Sequence, residues 1–408
     1  MCTFDDLDGR CRGPFARRDG RTGKPMLATR LILKNWRNFR DVDAPLRETT
    51  YLLGANATGK SNLLDAFRFL RDISKTQGGG LQKAVSDRGG IPKLRCLHAR
   101  RDPEVRVEVH LADGADDPPV WRYVLAFKPE GKGMQRTLVS TEQVWRGSER
   151  LLNRPDDQDQ KDPARLTQTH LEQMQANADF RPIAEFLGEI TYLHLVPQLL
   201  KYSDRIGGQR LEGDPFGQGF LEGVARTTQR TRDARLRRIE KALALAVPQF
   251  KQIRFVKDLV SGHPHLEALY AHHRPNAGWQ REEHFSDGTL RLLGLLWSLL
   301  DSSSLLLLEE PELSLNDGIV KQIPLMLQRV QRDTKRRRQI LISTHSEALL
   351  SNPGIDGRGV LVLEASGEGS RIRTLQGDEE GAIGEGLSVA EVVLPKTRPD
   401  TTEQLGLW

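Results

Sequence analysis

The run Gly54-Ala55-Asn56-Ala57-Thr58-Gly59-Lys60-Ser61 constrains this chain more than any other feature. It satisfies G-x-x-x-x-G-K-[ST] at every defined position. It follows a short apolar strand (Thr49 to Leu53) and precedes a helix predicted from Asn62 to about Ile73, with Leu63, Leu64, Phe67 and Leu70 at helical spacing. Glycines let such a loop curl until successive backbone N–H groups converge, and the helix that follows adds the positive end of its dipole. That is a cradle for phosphate. Gly54, Asn56, Thr58, Gly59, Lys60, Ser61 and Asn62 are the candidate contacts. Lys60 is placed to reach β- and γ-phosphates, and the Ser61 hydroxyl to ligate Mg2+. A Gly-rich turn that binds nothing is the competing reading, and the strand–loop–helix order disfavours it.

Three further segments bear on the same chemistry. Leu305 to Leu308 is wholly apolar and ends in Glu309-Glu310, which reads as a central parallel strand with two carboxylates at its carboxyl end. Glu309 is the candidate Mg2+ ligand beside Ser61, and Glu310 the candidate base for an attacking water. Ser286-Asp287-Gly288 opens an apolar helix 21 residues before Glu309 and offers free N–H groups to an anion. Gln339 to Ser343 forms another apolar strand, ending in Thr344-His345. An amphipathic helix from about Asp317 to Arg332, kinked at Pro324, links it to the acidic strand. A right-handed crossover would then set His345 beside Glu310.

The chain divides into a polar leader (1–25), an N-terminal part of the main domain (26–152), a mainly helical insertion (153–252), a C-terminal part (253–395) and a tail (396–408). Val105 to Leu111, Trp121 to Phe127 and Leu138 to Trp145 read as an antiparallel meander. Residues 74–102 read as a long loop and 153–163 as a polar linker. With 37 Gly and 21 Pro in 408 residues, composition excludes a collagen-like or wholly disordered chain. Cys2, Cys11 and Cys96 are too few for a disulfide framework and too scattered for a zinc site. The longest apolar stretch, Leu292 to Leu300, is far short of the ~18 residues that a membrane span needs. No secretory leader is recognised, and the expected location is the cytoplasm.

Taken in order, GANATGKSN, FSDGTLRLLGLL, LLLLEEPELSLN and ILISTHSEALL resemble the ABC-type ATPase heads of the SMC, RecF and OLD group. Most similar are single-chain AAA-type ATPases with an SDGT signature, often found in prokaryotic defence modules. LILKNWRNFRDVD resembles that group's first strand and turn. The resemblance implies an α/β fold: a P-loop ATPase head, with a mixed sheet and an antiparallel meander, carrying the helical insertion. It implies ATP and Mg2+, and two copies closing around two ATP molecules. Ser286, Asp287 and Gly288 of one copy would complete the phosphate site of the other. Lys60, Glu310 and His345 would be catalytic, and Ser314-Leu315-Asn316 would cross the dimer interface. Gln77 and Gln82 are the candidates for a glutamine loop.

The expected function is ATP hydrolysis that drives a switch or clamp in antiphage defence or DNA maintenance. Only 63 residues follow His345, and they hold no Glu…Asp-x-Asp set, so nuclease or toxin activity is expected on a separate effector protein. Besides the homodimer, a higher oligomer and nucleic acid are candidate partners; a membrane is not. Two basic runs, Arg226 to Lys241 and Arg332 to Arg338, are the candidate nucleic-acid surfaces, with a solvated basic face as the plain alternative. His263, His265, His272 and His273 lack a third metal ligand. An ATP-gated scaffold with little turnover is the second functional reading. A transporter's nucleotide-binding domain is the third, disfavoured because 225 residues separate Ser61 from Ser286.

Overall fold

A computed structural model describes residues 26–397 apart from 76, 100–101, 132–135, 203–213, 215, 272–277, 302–303 and 334–337; the expected leader and most of the expected tail lie outside the described residues. The first half runs through β1 (Leu27–Trp36), β2 (Phe39–Pro45), β3 (Thr49–Leu53), α1 (Lys60–Ser74), α2 (Leu81–Ser86), α3 (Ile91–Leu94), β4 (Val105–Ala112), β5 (Trp121–Pro129), β6 (Thr137–Arg146), β7 (Glu149–Arg154), α4 (Asp157–Lys161), α5 (Arg181–Gly188) and β8 (Thr191–Leu193). There follow α6 (Pro197–Lys201), α7 (Phe220–Arg226), α8 (Gln229–Ala246), β9 (Phe250–Lys257), β10 (Pro264–Tyr270), β11 (Gln280–Arg281), α9 (Asp287–Asp301) and β12 (Leu306–Glu309). The chain continues with α10 (Asp317–Val320), α11 (Ile323–Asp333), β13 (Ile340–Ser343), α12 (Glu347–Leu350), β14 (Val360–Ser366), β15 (Gly369–Arg373), α13 (Gly377–Gly384) and α14 (Val389–Thr397).

The central sheet has the order β15-β14-β3-β13-β12-β8 and is parallel except for β15. Its inner strands β14, β3, β13 and β12 place apolar side chains on both faces because both faces are covered. Leu52, Leu307, Leu341 and Leu361 enter one core with α1 and the antiparallel sheet. Leu53, Leu308, Ile342 and Val362 enter a second core with α11, α12 and α14. The antiparallel sheet, β2-β1-β4-β5-β6-β7, contains the expected meander as β4-β5-β6 and extends it by β1 and β2 on one side and β7 on the other. A small sheet, β11-β10-β9, packs with α7, α8 and one face of α9 around a third core.

Four local expectations change. Residues 74–102 are not one loop: α2 and α3 bury Leu81, Ala84, Val85, Ile91 and Leu94 against the first core, at the three- and four-residue spacing of short helices. Residues 153–163 are more than a polar linker: most are exposed, but two turn inward. Arg154 is 2% exposed and Asp159 1% exposed, and a capping box on Asp156 starts α4 there. The helix after Asp317 does not kink but breaks into α10 and α11, and Pro324 sits second in α11, where its missing N–H costs little. Finally, residues 153–252 supply part of the main domain. Ile183, Ala184 and Leu187 of α5 join the first core, and Thr191–Leu193 pair with Leu306–Leu308 as the edge strand of the central sheet.

Candidate functional site

The phosphate-loop residues stand at the carboxyl end of β3. Gly59 has φ 103, a left-handed conformation, and a Cβ there would lie 2.2 Å from Asn38 Nδ2. Asn38, in the turn between β1 and β2, fastens the loop: it donates to Thr58 O (2.9 Å) and Ser370 Oγ (2.7 Å) and accepts from Asn62 Nδ2 (2.7 Å). Trp36 Nε1 donates to Asn62 O at 2.8 Å. Inside the loop, Thr58 Oγ1 donates to Ala55 O at 2.8 Å. Lys60 Nζ donates to Gly54 O (2.8 Å) and Ala55 O (3.1 Å). Burial holds its ammonium below the usual lysine range, against the opposing pull of Glu310, Glu309 and Glu312. Asn56 and Ser61 are exposed at the mouth.

The acidic residues come from the neighbouring strands. β13 lies between β3 and β12, with Ser343 registered against both Leu52 and Glu309. The Ser61 hydroxyl donates to one Glu309 oxygen and the Tyr192 hydroxyl to the other. Burial and that bond push the Tyr192 phenol well above its usual range. Glu310 adopts φ 45, a left-handed conformation unfavourable for a residue with Cβ, while its N–H still donates to Ser343 O at 3.0 Å. Its carboxylate lies 3.2 Å from His345 Nδ1. Glu312 is 7% exposed and accepts from the Thr344 hydroxyl. Burial raises its carboxyl above the usual range.

Ser286, Asp287 and Gly288 sit at the start of α9. Ser286 Oγ accepts from Thr289 N at 3.1 Å and caps the helix. Asp287 accepts from Gln198 Nε2 and Lys201 Nζ, both at 2.8 Å. A Cβ on Gly288 would lie 2.8 Å from Ser314 O, so α9 abuts the loop after β12. Asn316 Oδ1 caps α10 by accepting from Gly318 N. The bonds of this turn therefore run to α6 and α9, not to the phosphate loop of the same chain.

Sequence spacing assigns no role to Asn38, Tyr192, Glu312 or Thr344. Glu312 and Thr344 adjoin motif residues, whereas Asn38 and Tyr192 reach the site through pairing that only the fold defines. Other candidates have structural partners. Gln82 donates to Thr137 O and Thr167 O, His265 Nδ1 meets Glu282 at 2.8 Å, and Gln77 is exposed. His272 and His273 lie outside the described residues. In the first basic run Arg232 stacks on Phe255 and Arg235 pairs with Asp301, while Arg226, Arg230, Arg237 and Lys241 are exposed. In the second, Arg338 is buried and donates to Ser304 O and Ser298 O, so it serves packing; the side chains of 332–337 lie outside the described residues.

Among the described residues no helix is long and apolar enough to cross a membrane. The fold is similar to that of SMC heads. An Smc head bound to the C-winged helix domain of ScpA superposes with a TM-score of 0.55 at 16% identity, covering 86% of this chain and 99% of that one. A Pyrococcus furiosus Smc head with an extended coiled coil, bound to the C-terminal domain of ScpA, gives 0.53 at 13% identity, over 88% of this chain and 99% of that one. No curated protein matches the chain. The family described as "AAA domain, putative AbiEii toxin, Type IV TA system" matches residues 50–351. This span holds the phosphate loop, the acidic strand and His345, and the chain belongs to that AAA-domain family, with the fold of an ABC/SMC-like P-loop ATPase head.

Proposed function

We propose that the protein is a Mg2+-dependent ATPase that dimerises around ATP and uses that cycle to switch a separate effector protein. The observation that carries this reading is the convergence of Lys60, Ser61, Glu309, Glu310 and His345 where β3, β13 and β12 end. In this reading Lys60 leaves the Gly54 and Ala55 carbonyls for the β- and γ-phosphate oxygens. Loop and α1 N–H groups take the remaining phosphate charge. Ser61 and Glu309 offer the hard oxygen donors that Mg2+ requires, and their direct hydrogen bond already brings those donors together; the ion would neutralise developing phosphate charge. Glu310 accepts a proton from the attacking water, and His345 orients that carboxylate from 3.2 Å. Ser286, Asp287 and Gly288 serve the second copy's nucleotide, which agrees with their bonds avoiding the loop of their own chain. An exposed basic face on α8 is the candidate contact for nucleic acid, and antiphage defence or DNA maintenance is the proposed setting.

The test is direct. Lys60→Ala should abolish ATP binding by calorimetry, and unchanged affinity would refute the phosphate-loop assignment. Glu310→Gln with ATP and Mg2+ should yield a stable dimer by light scattering; a monomer at saturating ATP would remove the closing of two copies from the proposal.

A further inference from the structure

Among the described residues, three buried side-chain atoms around the site have no hydrogen-bond partner: Arg291 Nε, Glu312 Oε2 and Ser343 Oγ. Arg291 and Glu312 are each 7% exposed, and Ser343 is 1% exposed. Polar atoms withdrawn from water without a partner are costly, so such a cluster calls for a reason.

The elements carrying these atoms are already in contact. Gly288 packs against Ser314 O, and Arg291 follows it by three residues, on the same face of α9. That face meets the loop bearing Glu310 and Glu312. Leu313 N donates to Glu310 O and Leu315 N to Glu312 O, so this loop is a pair of tight turns rather than a free strand. The other Glu312 oxygen holds the Thr344 hydroxyl, which also accepts from Ser346 N and is fully buried beside His345. Asp287, Glu312 and Glu310 supply the anionic field at Arg291, against which burial lowers its pKa.

We propose that Glu312 is a positioning residue that couples α9 to the end of β13: one oxygen fixes Thr344 next to His345, and the other receives Arg291 when α9 engages a nucleotide. The α9 N-terminus carries the Ser286-Asp287-Gly288 turn. Its engagement with phosphate is thereby reported to His345 and Glu310 of the same chain. A copy that has docked on its partner's nucleotide then has its own histidine and base in place. The consequence for turnover rests on the ATPase reading, whereas the coupling can be read without turnover.

The experiment is hydrogen exchange at residues 343–346 with and without ATP and Mg2+, alongside steady-state hydrolysis. The wild type should gain protection there on adding ATP. Arg291→Gln, remote in sequence, should bind ATP within about threefold of the wild type, yet lose that protection and turn over about tenfold or more slower. Glu312→Gln keeps an oxygen for Thr344 but removes the charge, and should behave alike. Thr344→Val, nearly isosteric, should break the link from the other side. The Arg291→Gln/Glu312→Gln double variant should be no worse than either single. Protection and turnover retained in Arg291→Gln, or losses that multiply in the double variant, would overturn the coupling. So would a parallel fall of ATP affinity and thermal stability in all three single variants, which marks a merely structural role. A wild type that binds ATP without gaining protection overturns it as well. A wild type that binds ATP and gains protection but never hydrolyses it sinks the ATPase reading instead and leaves the coupling standing.

Discussion

Arg154 and Arg291 are both buried guanidinium groups, at 2% and 7% exposure, and the fold treats them oppositely. Arg154, at the end of β7 in the antiparallel sheet, donates to both Asp159 oxygens (2.9 Å each), to Glu142 Oε2 (2.9 Å) and to the Gln168 and Arg165 carbonyls. Glu142 in turn accepts from His170 N, Leu171 N and the Tyr123 hydroxyl. Every charge there is answered by hydrogen bonds within the chain, the condition under which a buried ion pair is tolerable. Around Arg291 the same ingredients are left unmatched: an unpartnered Nε, an unpartnered Glu312 oxygen and Glu310 in a left-handed conformation. A network closed on itself can only hold structure. One left open still has free energy to gain from a ligand or a movement, and strain of this kind gathers where chemistry is done.

The contrast breaks most visibly if the two regions are swapped in a crossed measurement. Glu310→Gln should lower ATP turnover by about 10²–10⁴-fold while moving thermal stability little. Arg154→Met should do the reverse. It strands Glu142 without a cation and leaves Asp159 only the part-exposed Arg165, at a cost of about 3–5 kcal/mol in denaturant unfolding, and leaves nucleotide affinity within about twofold. Equal stability losses from both substitutions would mean that the distinction between closed and open networks is false.

A smaller effect sharpens the boundary of the closed network. Glu172 accepts from Leu81 N and Thr169 N, and burial pushes its carboxyl up to about 7. A carboxyl raised in the folded state binds its proton more tightly there than in the unfolded chain, so its contribution is complete below about pH 4.5 and is lost as pH rises through about 7. Unfolding free energy should therefore fall across that window by at most about 3 kcal/mol, and the Glu172→Gln variant should lack this component. A flat difference between wild type and variant from pH 4.5 to 8 would contradict it. The smallest effect is expected at an exposed pair: Arg358→Ala, which removes the bond to Asp356, should leave the unfolding midpoint unchanged within measurement error. A larger change would show that surface charge carries weight this comparison assigns to buried charge.

How far the sequence reveals these regions follows from their physics. The phosphate loop, the acidic strand and His345 are legible because cradling phosphate and the proposed chemistry need specific residue types at fixed local spacing. The central strands are legible because burial on both faces demands unbroken apolar runs. Arg154 and Asp159 are hidden for the opposite reason: NRPDDQDQKDP reads as a polar linker throughout, and only tertiary pairing turns these two side chains inward. Tyr192 is hidden because β8, Thr191–Leu193, is a three-residue strand among helices, and its neighbour Leu307 lies more than a hundred residues away. The Gly-rich stretch before Cys96 concealed α2 and α3, whose apolar positions are too few to show a full helical period.

The edge strand carries one more consequence. β8 is threaded beside β12 from a segment that otherwise reads as an appendage, and its single phenol clasps the carboxylate that stands next to the phosphate loop. Whatever tugs on α5 or α6, which flank it on either side, pulls at that clasp directly. A surgeon wishing to replace residues 153–252 with a short splice would cut through the crevice wall as well as the ornament.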